Sequence, residues 1–261
     1  MSSRLALTLA KAKADNRAAL IGYLPVGYPD VDTSIRAMKA MVDGGADIIE
    51  VGVPYSDPGM DGPTIQAAVD PAVRAGVGMI DVLRAITAVN DAGAAPVVMS
   101  YWNPIDRYGV ARFAADLASA GGAGAITPDL IPDEADAWLR ASDEHELDRV
   151  FLVAPSSTDA RITSTTAACR GFVYAASTMG VTGARDTVAS AAPELVARTR
   201  AHTDLPIGVG LGVRSREQAA EVAGFADGVI VGSAFVTAAE QGGAAGVRAL
   251  AGDLAAGVRA R

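Results

Sequence analysis

Cysteine occurs once in the 261 residues, at Cys169, which excludes an intrachain disulfide and a thiolate-built metal cluster. Histidine is confined to His145 and His202, and lysine to Lys11, Lys13 and Lys39, all in stretches that read as exposed helix or loop. Schiff-base chemistry through a lysine and a His-ligated zinc centre are therefore disfavoured. No apolar run approaches the ~20 residues that span a bilayer, and the opening stretch MSSRLALTLAKAKADN has no long apolar core followed by a cleavage site. A soluble, cytoplasmic protein with no membrane partner is expected. Acidic residues outnumber basic ones, 30 to 22, for a net charge of -8. With no Lys/Arg run, nucleic acid and anionic membrane are disfavoured as the main partner.

What is present is apolar: half of the residues are hydrophobic, although aromatics make up only 5%. Short β-branched runs alternate with longer Ala-rich stretches of helical period, the pattern of repeated βα units around a parallel sheet. Strands are expected at Ala19 to Leu24, Asp47 to Val53, Pro96 to Tyr101, Gly124 to Thr127, Arg149 to Ala154, Gly171 to Ala176, Pro206 to Gly210 and Asp227 to Val231. Helices are expected at Thr33 to Asp43, Ile80 to Asp91, Tyr108 to Ala120, Asp133 to Ser142, Asp159 to Cys169, Ala191 to Ala201 and Ser215 to Ala223, with one more before the first strand and one from Ala244 onward. Runs such as DIIEVGV and VFLVA are continuously apolar because a parallel strand covered on both faces has no wet side. Eight such units point to an α/β (β/α)8 TIM barrel, one domain over residues 1–261 with an extra N-terminal helix. The glycines and prolines cluster where strands end, on the rim where barrels place their chemistry.

Strand two ends in Glu50-Val51-Gly52-Val53-Pro54 and runs into a Gly/Pro-rich loop that carries Asp57 and, eleven residues after Glu50, Asp61. A polar group left unpaired in an apolar strand costs roughly 1 to 3 kcal/mol, so Glu50 needs a reason. It is either a structural ion pair or cap, or a general acid/base whose proton affinity is raised by desolvation. Asp57 and Asp61, taken alone, read as turn and cap residues. A divalent-metal site of Glu50, Asp57 and Asp61 is disfavoured, because the loop lacks the alternating acidic spacing of a cation loop.

Glycine turns follow the late strands: Met179 to Ala184, Gly208 to Val213, and Val231 to Ala234. Turns of this kind after strands seven and eight of a barrel suit a phosphate, since glycine lets backbone N–H groups approach an oxyanion without a lysine. Gly208-x-Gly210-x-Gly212 does not fit dinucleotide spacing.

The segment Glu50 to Pro58 followed by Asp61-Gly62-Pro63-Thr64-Ile65-Gln66 closely resembles the signature of the tryptophan synthase alpha subunit family. The likeness continues through Leu24 to Pro29, Tyr101-Trp102-Asn103-Pro104, Pro128-Asp129-Leu130, Gly180-Val181-Thr182-Gly183 and Gly232-Ser233-Ala234, and so spans nearly the whole chain. It implies a pyridoxal-independent lyase that cleaves indole-3-glycerol phosphate to indole and glyceraldehyde 3-phosphate, with pyridoxal phosphate only in a beta subunit to which the indole passes. By this resemblance Glu50 shuttles protons at indole C3 and the glycerol hydroxyl, and Asp61 stabilises the indole N–H. Phosphate would meet the backbone N–H groups of Gly183, Gly212, Gly232 and Ser233. Indole would lie among Tyr23, Tyr101, Ile126, Tyr174 and Leu211, each of which could equally be core. Thr182 would orient the aspartate, and Asp57 with Pro54 and Pro58 would face the beta subunit of an alpha2beta2 tetramer. The chain departs from better-known members at Thr178 and Leu211. Competing readings are a stand-alone indole-releasing lyase with the same two carboxylates, a lysine-dependent phosphate-binding barrel, and a non-catalytic regulatory subunit.

Overall fold

The computed structural model describes residues 3–176 and 191–260. Strands β1 (Ala19–Pro25), β2 (Ile48–Gly52), β3 (Ala95–Met99), β4 (Gly124–Ile126), β5 (Asp148–Val150), β6 (Leu152–Val153), β7 (Val173–Ala176), β8 (Ile207–Gly210) and β9 (Gly228–Val231) form one parallel sheet. Its order runs β5-β4-β3-β2-β1-β9-β8-β7-β6. The two ends of that order, β5 and β6, are halves of one stave interrupted at Phe151, so the nine segments close into the eight staves of a (β/α)8 barrel. All eight expected strands are present, with ends displaced by one or two residues.

The helices are α1 (Arg4–Ala14), α2 (Val31–Asp43), α3 (Pro63–Arg74), α4 (Met79–Asp91), α5 (Trp102–Tyr108), α6 (Val110–Ser119), α7 (Asp136–Glu144), α8 (Asp159–Ala168), α9 (Ala191–Arg200), α10 (Arg216–Ala223) and α11 (Ser233–Val258). Two of them, α3 and α5, were not expected, since Pro63 and Pro104 read as loop. Pro63 instead occupies the first turn of α3, where a missing N–H costs nothing and the fixed φ suits the helix. Helical geometry in α11 breaks at Gly243 (φ 54°, ψ -148°); the part after it matches the helix expected from Ala244, and the part before it, 233–242, is helical where no helix was expected.

Side chains alternate along each stave. On β2, Ile49 and Val51 join the cluster under the helices, whereas Ile48 joins a second cluster inside the barrel with Ile21, Val97, Ile126, Val150, Phe172 and Ile230. Leu5, Leu9 and Ala12 of α1 belong to the inner cluster and close the floor of the barrel. At that end Arg17 grips Asp47 with two bonds of 2.7 and 2.8 Å. With the lumen filled from below, polar residues facing inward above Ile21, Ile48 and Phe172 have only the upper rim as an outlet.

Candidate active site

Those inward residues are Tyr23 on β1, Glu50 on β2 and Tyr174 on β7. Tyr23 pairs in register with Glu50, and Glu50 with Val97. Glu50 is 2% exposed, and its Oε1 has no hydrogen-bond partner among the described residues. The ion-pair reading of Glu50 therefore has no support there. Burial alone pushes its carboxyl up to about 8, because a low dielectric penalises the charged form.

Asp61 stands on the loop between β2 and α3, and its Oδ1 accepts a 3.0 Å hydrogen bond from the Tyr101 hydroxyl. That hydroxyl also accepts from the Met60 N–H at 2.9 Å, and the Asp61 carbonyl accepts from Gln66 Nε2 at 2.7 Å. Burial pushes the Asp61 carboxyl above its usual range, while the bond from Tyr101 holds it down. Burial raises the Tyr23 phenol well above its ordinary value, and the charges of Asp61 and Glu50 add to it. Both carboxylates thus act on one tyrosine. Tyr174 is raised likewise by burial and by Glu50.

The Tyr23 ring lies along the rim: a methyl built on Gly52 would fall 2.7 Å from its hydroxyl, and one on Gly232 would fall 3.5 Å from Cδ1. Gly52 is thus held to glycine by the ring. On the late strands Gly210 pairs with Ile230, so Gly212 and Gly232 leave the sheet side by side. Gly212 has φ +69°, a conformation that disfavours side chains. Gly232 caps α11 without a side-chain bond, and Ser233, its first residue, is 7% exposed. The free N–H groups and dipole of a helix start attract an anion.

The structure thus brings Glu50, Asp61, Tyr23, Tyr101 and Tyr174 to one end of the barrel. Leu211 (3% exposed) begins the turn that holds Gly212, and Ile126, fully buried in the inner cluster, pairs in register with Met99. Thr178, Thr182 and Gly183 lie outside the described residues. Asp57 is exposed, its Oδ2 accepting from the Ser56 hydroxyl at 2.5 Å. Among the described residues no group of three or more His, Cys, Asp or Glu is placed to hold a metal ion. Cys169 is buried, its thiol pushed up to about 12 by burial, and is not a thiolate nucleophile.

Sequence reading missed the bond between Tyr101 and Asp61, and with it Tyr55 and Asn103. The Tyr55 ring packs on Tyr101, centroids 5.4 Å apart, and its hydroxyl accepts from Asn103 Nδ2 at 3.1 Å. Residues forty or more positions apart carry no spacing signal. The motif Pro128-Asp129-Leu130 also acquires a task here: Asp129 Oδ1 accepts from the Trp102 N–H at 2.8 Å and pins the start of α5.

Fold and site together define a (β/α)8-barrel enzyme with two desolvated carboxylates at the carboxyl rim and a glycine turn and helix start on the late strands. The family model described as tryptophan synthase alpha chain matches residues 9–256. The chain belongs to the tryptophan synthase alpha chain family. It is 65% identical over 260 residues to the tryptophan synthase alpha chain of Mycobacterium marinum, covering 100% of this chain and 96% of that one. A solved structure of Mycobacterium tuberculosis tryptophan synthase superposes with a TM-score of 0.96 at 64% identity, covering 99% of both chains. The tryptophan synthase subunit alpha of Legionella pneumophila, at 32% identity, superposes with a TM-score of 0.85 over 99% of this chain and 98% of that one.

Proposed function

We propose that Glu50 and Asp61 perform the alpha reaction of tryptophan synthase, the lyase cleavage of indole-3-glycerol phosphate to indole and glyceraldehyde 3-phosphate on the route to tryptophan. The observation that carries the assignment is the buried Glu50 carboxyl, unpaired at Oε1 and raised to about 8. At neutral pH it holds a proton inside an apolar barrel mouth, which is the state a general acid needs.

The steps follow from that state. Glu50 gives its proton to indole C3, and the ring becomes a cation with its charge on the N–H. Asp61, ionised and partly desolvated, accepts that N–H and stabilises the cation, an interaction strengthened by the low local dielectric. The Glu50 carboxylate then takes the proton of the glycerol hydroxyl next to the ring. The carbon–carbon bond breaks, its electron pair returns to the ring to give indole, and the hydroxyl carbon becomes the aldehyde. Glu50 ends protonated as it began.

Tyr23, Tyr101, Ile126, Tyr174 and Leu211 supply flat or apolar walls for the ring. The N–H groups of Gly212, Gly232 and Ser233, with the Ser233 hydroxyl, receive the phosphate; Gly183 and Thr182 are assigned their roles on the sequence resemblance alone. The family's alpha chain uses no cofactor, and pyridoxal phosphate belongs to the beta subunit with which it forms a complex. Asp57, Pro54 and Pro58 are proposed to face that partner in an alpha2beta2 assembly. No described helix is long and apolar enough to cross a membrane, and a cytoplasmic location agrees with this. Indole release from indole-3-glycerol phosphate by the purified chain, with and without beta subunit, tests the reading; no release in either case would overturn it.

A further inference from the structure

We propose that Tyr55 is a positioning residue for Asp61, clasped by Asn103 so that its ring fixes the ring of Tyr101 and thereby the hydroxyl that holds the carboxylate. The proposal rests on the function assigned above.

The Asp61 carboxylate must meet a ring nitrogen, yet it stands on a loop of ten residues between β2 and α3, 53–62. Its side-chain hydrogen bond comes from Tyr101, the residue just before α5. Tyr101 is itself fixed from two sides. Beneath, Trp102 N–H donates to Asp129 Oδ1, so the start of α5 cannot shift without breaking a charged bond. Beside it, the Tyr55 ring lies tilted by 35° at 5.4 Å, within the range in which aromatic pairs attract beyond their buried area. Tyr55 would be free to rotate off Tyr101 were its hydroxyl not tied to Asn103, two residues along the same helix start. One side chain of the β2 loop therefore packs on Tyr101 while another, Asp61, accepts its hydrogen bond. The contact closes a ring through both segments: Asp61, Tyr101, Asn103, Tyr55 and back along the loop.

The outer side of the clasp opens on a cleft of about 710 Å³ that Tyr55 and Asn103 line together with Pro54, Ser56, Asp57 and Arg107. Two of those residues, Pro54 and Asp57, are among the ones proposed to face the beta subunit. Contact there reaches Asp61 through two aromatic rings, without any movement of the barrel.

The test uses the full chain, alone and with beta subunit, in Tyr55→Phe and Asn103→Ala forms. Each keeps the Tyr55 ring and removes the tie. Expected is a fall in kcat of about two- to tenfold, the worth of one hydrogen bond, with KM little changed and the acidic limb of the pH–rate profile displaced upward as Asp61 loses a well-aligned donor. In a Tyr101→Phe background, Tyr55→Phe should add nothing. Tyr55→Leu, which removes the ring, should exceed Tyr55→Phe, and thermal melts confirm that each variant folds. Wild-type kcat and acidic limb in both Tyr55→Phe and Asn103→Ala, or full additivity with Tyr101→Phe, would overturn the clasp. An inactive wild-type chain would instead overturn the underlying assignment, so the two failures are distinguishable.

Discussion

The Tyr101 hydroxyl donates to Asp61 Oδ1 across 3.0 Å while accepting from the Met60 N–H at 2.9 Å. A phenol filled on both sides has its proton directed at the carboxylate and cannot turn away. Charge on Asp61 is thus stabilised from one flank by a hydrogen bond, against a burial that disfavours it. Removing that bond leaves burial unopposed. Tyr101→Phe should therefore raise the proton affinity of Asp61, so that activity is lost at higher pH on the acidic side; an acidic limb at the wild-type position would show that the bond does not control ionisation.

Glu50→Gln and Asp61→Asn each remove a proton-handling group and nearly preserve shape. Turnover should fall by roughly 10²- to 10⁴-fold, the range for general acid/base groups, with circular dichroism unchanged. Near-normal indole release in either variant would sink the assignment of that residue.

The pH profile of kcat/KM for the free enzyme should be bell-shaped. Its basic limb reports loss of the Glu50 proton, at about 8, and its acidic limb reports protonation of Asp61, above the ordinary aspartate range. A rate that stayed level as pH passed well beyond about 8 would remove Glu50 from the acid role.

Stability carries the same signature with a definite sign. Glu50 ordinarily titrates at 4.5 and is raised to about 8 in the fold. Between those values the unfolded chain has released its proton and the folded chain has not. Stability therefore declines as pH rises through that window and levels off above it. Glu50→Gln should melt higher than wild type at alkaline pH, and the difference should vanish under acidic conditions; urea titrations at both ends measure it.

At the phosphate turn, Gly212→Ala places a methyl at φ +69°, a conformation that costs roughly 1 to 2 kcal/mol for an L-residue. The expected result is a KM for indole-3-glycerol phosphate raised by about tenfold, with kcat less affected. Steady-state kinetics separate the two, and an unchanged KM would take the phosphate away from this turn.

Strand positions were legible because a stave covered on both faces is apolar along its whole length, as in β2 and β9, and the eye needs no contact to see it. Glu50 was conspicuous for the same reason, being a carboxylate inside such a run. Helices α3 and α5 were hidden because proline at a helix start looks like loop until capping geometry is known. Composition and local pattern by themselves determined the βα repeat, disfavoured Schiff-base and histidine-zinc chemistry, and singled out Glu50; Asp61 stood out through the family resemblance. Only the tertiary structure decided that Tyr101 holds Asp61, that Tyr55 and Asn103 flank it, and that Gly212 and Gly232 emerge side by side. These are pairings between distant segments, set by strand register and barrel closure, and a chain read in order contains no term for the distance between them.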